Sequence, residues 1–317
     1  MPTSVGVLTK CAIKANSAWG ADFSAPSQDL IPILSESIIA EYLRMQNDAL
    51  LGTAGRRQSD RGALTVRGSL ELEMDFYNFS FLLECALGGV DNSIHYITDR
   101  LSDYLQLEFD KQVSRWRVNT AMVNAVEISG KVNESFKMTL ELICHKVERS
   151  ATAFPNLTLA NYKRMMFNEI VSQSLGFGFM VGDLADSLSS SDARPVEEFK
   201  LRLERNLTEP EWDTNSHIYT LEPIPNNFRK ATLELGLSRY EFDTFPAWQD
   251  ADTALQATWL LTYDTRVIAF YVPQMKISSI EYPIAGPGIV KPKVKLDCFM
   301  NTDNSYQTCT NEFEIHY

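Results

Sequence analysis

The sequence predicts a mainly β chain built from two similar tandem units, and three observations predict it. Apolar and polar residues alternate strictly along several segments, segments of the first half match segments of the second in the same order, and 317 residues exceed the usual size of one domain. The division expected is residues 1–150 for the first unit and 151–317 for the second.

The elements follow in chain order. From Ala63 to Phe76, Leu64, Val66, Leu70, Leu72 and Met74 fall on one parity and Thr65, Arg67, Ser69, Glu71, Glu73 and Asp75 on the other. That is a long strand with one wet face. Phe76 to Leu87, FYNFSFLLECAL, is apolar without a period of two and runs into Gly88-Gly89, which reads as a helix stopped by glycine. Period-two strands return in Phe136, Met138, Leu140, Leu142 and Cys144, in Phe199, Leu201 and Leu203, in Leu233, Leu235 and Leu237, and in Val290, Val294, Leu296 and Cys298. A linker is expected between Val147 and Asn161, and DSLSSSDARP at 186–195 reads as a surface loop.

The halves align on each other. Phe109-Asp110 falls on Tyr263-Asp264, Trp116 on Phe270, Val118 on Val272 and Val126-Glu127 on Ile280-Glu281, all at an offset of 154. Leu140-Glu141 matches Leu296-Asp297 at 156, and Ser-Leu-Glu-Leu at 69–72 matches Thr-Leu-Glu-Leu at 232–235 at 163. The polar stretch 89–103 reads as an insertion of the first half. Duplication of one unit leaves such a record of matched strands with drifting loops.

Composition excludes several classes. With 44% hydrophobic and 22% charged residues the chain is expected to be globular. Its formal charge of -12 divides into -4 for residues 1–150 and -8 for the rest, a poor basis for gripping phosphate. Cys11, Cys85, Cys144, Cys298 and Cys309 form no CxxC pair, so a disulfide framework is not expected, and Cys144 and Cys298 read as buried reduced thiols. MPTSVGVLTK lacks a basic start before a long apolar run, and no stretch reaches the roughly 18 apolar residues of a membrane span. His95, His145, His217 and His316 are scattered, and no nucleophile elbow, Walker loop or dinucleotide fingerprint is present. Neither enzyme, metal nor cofactor is expected.

Two charged features remain. GTAGRRQSDRG at 52–62 has the glycines and arginines of a phosphate cradle but no closing Lys-Ser/Thr pair, and a strand follows it. It reads as a loop whose arginines pair with carboxylates, in an oligomer a neighbour's. Leu51, Arg56, Arg57, Asp60 and Arg61 are the candidate inter-subunit residues. Glu71, Glu73 and Asp75 share one strand face, and acids recur at aligned places: Glu234 with Glu71, Asp264 with Asp110, Asp297 with Glu141. A repeated anionic surface fits the lining of a ring or channel better than one catalytic pair.

Two stretches carry a family resemblance. Leu30 to Ile38, LIPILSESI, followed by GTAGRRQSDRGALTVRGSLELEMDFYNFSFLLECALGG, resembles the N-terminal portion of phage tail tube proteins. IPNNFRKATLELGLSRYEFDTF with YVPQMKISSIEYPIAGPGIVKPKVKLDCF is similar to the C-terminal part of the same class. The resemblance implies β-sandwich units, each flanked by a short helix, whose inner sheets join around a ring into a β-barrel. Stacked rings form a tube through which double-stranded DNA leaves the capsid without specific binding. Single-domain subunits of this kind form hexameric rings, so a two-domain chain is expected to form homotrimeric, pseudo-hexameric ones. Leu34 to Gly62 resembles the inter-ring arm.

The expected lumen-facing acids are Glu71, Glu73, Asp75, Glu108, Asp110, Glu141, Glu234, Asp264 and Asp297. Expected partners are the chain itself and tape measure, distal tail and terminator proteins, with no membrane. The expected location is the virion tail, after assembly in the bacterial cytoplasm. Two other readings stand beside this one: a distal tail or tail-terminator protein of the same fold, which forms single rings, and a carbohydrate-binding β-sandwich using Trp212 or Trp248.

Overall fold

A computed structural model describes the chain except residues 1–8, 24–28, 47–58, 99–100, 102–103, 151–153, 158, 160, 171–177, 217, 240–242, 285–288 and 301–311. The described residues are mainly β. The first half holds β1 (Lys10–Asn16), β2 (Asp29–Ile31), β3 (Ile33–Glu36), β4 (Ile39–Gln46), β5 (Ser59–Glu73), α1 (Phe79–Leu87), β6 (Gly88–Asp91), β7 (Ile94–Ile97), β8 (Tyr104–Asp110), β9 (Arg115–Lys131), β10 (Lys137–Cys144) and β11 (Val147–Ser150). The second holds β12 (Phe179–Asp183), β13 (Val196–Glu204), β14 (Lys230–Leu237), α2 (Thr244–Asp250), β15 (Leu255–Tyr263), β16 (Arg266–Glu281), β17 (Lys293–Cys298) and β18 (Glu314–His316).

The alternation seen in sequence sets the two faces. Leu64, Val66, Leu70, Leu72 and Met74 of β5, and Met138, Leu140, Leu142 and Cys144 of β10, are buried, while Glu71, Glu73, Thr139 and Glu141 stay at least partly exposed. A central antiparallel sheet runs in the order β3 and β4, β5, β10, β9, β13, β14, β17, β16. Among the described residues it is open at both ends. The long strand β9 pairs with β8 and β13 along one edge and with β10 and β11 along the other, and β16 pairs with β15, β17 and β18. Arg115 to Ala121 of β9 pair with β8, which carries β1 and β2, and Ala125 to Lys131 pair with β13. A bulge bends and twists the strand that carries it, and Cys11, Ile13, Leu105 and Leu107 of the outer ladder share one core with Leu70 and Leu140 of the central sheet.

The ladders repeat. Leu107 faces Val118 and Leu105 faces Ala121, as Ala257 faces Val272 and Leu255 faces Met275, with the same irregularity between. Leu142 faces Val123 and Glu141 faces Ala125, stepping over Asn124; Leu296 faces Ile277 and Lys295 faces Ser279, stepping over Ser278. Both comparisons give an offset of 154 along β9 and β16, the value read from sequence. In the same way β1 corresponds to β12, β3 and β4 to β13, β5 to β14, β8 to β15, β10 to β17 and β11 to β18. The helices conform, because α1 begins six residues after β5 and α2 seven after β14.

Register corrects several alignments made from residue type. Leu140 corresponds to Val294 and not Leu296, since both lie opposite the 154-related pair Val126 and Ile280. Leu70 then corresponds to Leu235, and Phe109 to Trp259. The expected linker starts later than Val147, because Val147 to Ser150 form β11 on β9.

Local chemistry explains the remaining elements. Burial of Phe79, Leu82, Leu83, Ala86 and Leu87 drives α1, and Gly88 ends it at φ 93, a left-handed turn that costs glycine nothing. The predicted insertion folds as the β6–β7 hairpin, which β18 ties to β16. Where the halves meet, Phe136 and Phe199 pack edge to face at 5.1 Å and Trp259 stacks on Phe179 at 4.4 Å and on Phe270 at 4.9 Å. No helix among the described residues is long and apolar enough to cross a membrane.

Candidate functional site

The wet face of the central sheet crosses both halves without interruption. One row of laterally paired residues reads Glu71, Thr139, Glu127, Arg202, Thr232, Asp297; a parallel row reads Glu73, Lys137, Ser129, Lys200, Glu234, Lys295, Ser279. Acids and bases alternate across strands and pair. Arg202 donates from Nη2 to Glu141 at 2.7 Å and from Nε to Glu204 at 2.8 Å, and its Nη1 lies 3.7 Å from Glu127. Burial works against the Arg202 charge, yet the hydrogen bonds it donates to Glu204 and Glu141 hold its pKa above the ordinary arginine value. Lys295 lies 3.3 Å from Glu234, Lys200 3.8 Å from Glu127 and Lys137 3.9 Å from Glu71. A groove of about 380 Å³ lies over this lattice between Lys131, Glu134, Glu198, Glu234 and Lys293. It is open and lined by groups of both signs, and among the described residues no cluster of His, Cys, Asp or Glu could hold a metal.

The predicted acids separate into two groups. Glu71, Glu73, Glu141, Glu234 and Asp297 share the wet face. Glu73 accepts from Ser135 Oγ at 2.7 Å and Tyr162 Oη at 2.8 Å; burial raises its pKa, but these bonds and Arg164 bring it below the ordinary carboxylate value. The other four lie elsewhere. Asp75 is 4% exposed and its Oδ1 accepts the backbone N–H of Tyr77 at 2.8 Å and of Asn78 at 2.9 Å, so it shapes the turn into α1, with burial pushing its pKa up. Glu108 is fully buried between Arg115 and Arg117: a buried ion needs a partner, and these two supply it. Asp110 accepts from the backbone of Gln112 in the β8–β9 turn, and Asp264 sits exposed in the β15–β16 turn at φ 54. The proposed recurrence of acids also fails on register, since Glu71 corresponds to Gly236 and Glu141 to Lys295.

Sequence reasoning missed the basic half of the lattice: Lys137, Lys200, Arg202 and Lys295. Their signal was present in the same alternation, where each stands on the polar parity of its strand. Leu51, Arg56 and Arg57 lie outside the described residues. Asp60 and Arg61 lie on β5, facing Met45 and Arg44 of β4, and the Arg61 guanidinium stacks on Tyr42 at 3.4 Å. The aromatics of a glycan-binding reading are engaged, Trp212 Nε1 donating to the Leu64 carbonyl at 3.3 Å and Trp248 packing against Phe245 at 5.4 Å. Cys11, Cys85, Cys144 and Cys298 are buried, and burial pushes Cys11, Cys144 and Cys298 far above the ordinary thiol pKa.

Among the described residues the sheet repeats its registers, is open at both ends and presents an ion-paired wet face. The family model for phage tail tube proteins matches residues 6–303. The chain belongs to that family. No curated protein matches it. Membership gives this tail tube chain a structural role in the virion tail, in a family that is generally non-enzymatic, and implies self-assembly into a tube alongside other tail proteins.

Proposed function

We propose that the chain consists of two tail-tube-type β-sandwich domains, residues 1–150 and 151–317, and that three copies close into one pseudo-hexameric ring whose central sheets join as a barrel. Stacked rings form the conduit for double-stranded DNA, with tape measure, distal tail and terminator proteins as neighbours and the bacterial cytoplasm as the place of assembly. The observation that carries this reading is the repeat of the ladders, bulge for bulge, inside one open sheet. Two equivalent units already joined edge to edge are one third of a six-unit ring.

In this reading the wet face lines the lumen. Glu71, Glu73, Glu141, Glu234 and Asp297 contribute its carboxylates, and the acidic wall expected from sequence becomes a wall of paired charges. Its lysines and arginines are held by carboxylates, so phosphates passing along it meet no unbroken cationic track. Negative-stain microscopy of the purified chain tests the assembly: long hollow tubes are expected, isolated single rings favour a terminator-like part, and monomers at every concentration overturn it. The lumen assignment is tested in phage carrying Glu71→Lys with Glu141→Lys. Tubes are expected to form while DNA ejection slows, and unchanged ejection from normal tubes removes the assignment.

A further inference from the structure

The seam between the halves is formed inside one chain, where β13 lies antiparallel on β9 with Arg202 opposite Glu127, Leu203 opposite Val126 and Glu204 opposite Ala125. The ladder equivalences carry both of these partners to the two ends of the central sheet. Ile33 faces Leu72 and Ser35 faces Glu71, as Val196 faces Leu237 and Glu198 faces Gly236, with the same break between; β13 therefore corresponds to β3 and the start of β4 at an offset of 163. The seam stretch of β9 corresponds to the last residues of β16 at 154. Among the described residues each of these end segments has a strand on one side only: β3 and β4 lie on β5, and Lys276 to Glu281 lie on β17.

The chemistry of the two ends favours pairing. Leu34 and Ile39 on the β3–β4 edge are 47% and 56% exposed, and Ile284, just past β16, is 78% exposed. Apolar side chains on an unpaired edge are a template for another strand, and a head-to-tail contact between two different edges builds a ring when its rotation closes.

We propose that the β3–β4 edge of one copy adds antiparallel to residues 279–281 of the next copy, in the register of the internal seam. Glu41 then lies opposite Ser279, Ala40 opposite Ile280 and Ile39 opposite Glu281. Ile39 takes the place that Arg202 holds inside the chain, so the seam between copies sets an isoleucine beside Glu281 on the wet face where the internal seam has an ion pair, Arg202 with Glu127 at 3.7 Å. This inference rests on the tube reading and adds to it the two edges and their register.

Disulfide trapping tests it. Glu41 is exposed and Ser279 half-buried, both polar, so E41C/S279C does not cut into the core. Directly opposed residues of an antiparallel pair have Cα atoms about 4.5–5.5 Å apart, within disulfide range. Oxidation of assembled E41C/S279C is expected to link copies into covalent dimers and closed trimers on a non-reducing gel, with A40C/I280C as a second in-register pair and each single variant staying monomeric. S35C/S279C, out of register by six residues or roughly 20 Å, is expected to give no links. Rings that form by microscopy while neither in-register pair links overturn the register and leave the tube reading intact. A chain that forms neither rings nor tubes overturns both.

Discussion

Single side chains divide into those that hold the core and those that decorate the wet face of the central sheet. Glu108 belongs to the first kind: it is fully buried, against Arg115 and Arg117, and burial followed by the charge of Arg117 already lowers the Arg115 pKa. Glu108→Gln leaves two guanidiniums beside a neutral amide and is expected to destabilise by about 3–5 kcal/mol, read as a lower urea midpoint. Gly130 is held by packing, since a Cβ there meets ring carbons of Phe136 and Phe199 at 2.7 Å. Gly130→Ala is therefore expected to cost about 1–3 kcal/mol in the same measurement. Glu73 carries a pH dependence. Its folded pKa lies below the ordinary value, so its contribution is present above about pH 4.3 and is lost as pH falls through the folded value. Glu73→Gln is expected to flatten the acid limb of the stability curve below about pH 4.3, measured by denaturant titration at several pH values.

At the scale of elements, β18 is the strand that closes the second half, lying between β16 and β7. His95 on β7 faces Ile315 of β18, and Ser80 Oγ lies 2.9 Å from its Nε2. Burial lowers the His95 pKa to about 4. The neutral imidazole is thus the folded form, and its contribution, whole above about pH 6.5, declines as pH falls from there toward the folded value. The protection of β18 amides, exchange corrected for the intrinsic rate at each pH, is expected to fall between pH 7 and pH 5, and His95→Gln to abolish that difference.

This seam also marks the limit of what the sequence discloses. Long amphipathic strands such as β5 and β10 were legible because each residue declares its face, and α1 was legible because aromatic residues without a two-residue period run into Gly88. The offset of 154 along β9 was legible for the same reason. The match of Leu140 to Leu296 misled because leucines two apart on a strand share a face, and only the hydrogen-bonded partner tells them apart. For the site, the acids of β5 were legible and Glu108 was not, since the strand β8 is buried almost throughout and a carboxylate with its partner nine residues away on the next strand reads like a solvated one.

For the whole molecule, the lattice of paired charges predicts a weak response to salt. Exposed pairs contribute about 0–1 kcal/mol each and are screened, so raising salt from 0.1 M to 1 M is expected to move the melting temperature little, because the aromatic core and not the wet face sets it. A fall of many degrees would assign stability to the lattice. The internal β9–β13 seam has a further consequence, which concerns timing. A seam made within one chain forms during folding, before any encounter, and pays no translational cost when rings assemble. In the proposed ring of three chains, three bodies meet in place of six. Nucleation of such a ring is of lower order in concentration, so it is expected at protein levels too low for a single-unit chain to close one.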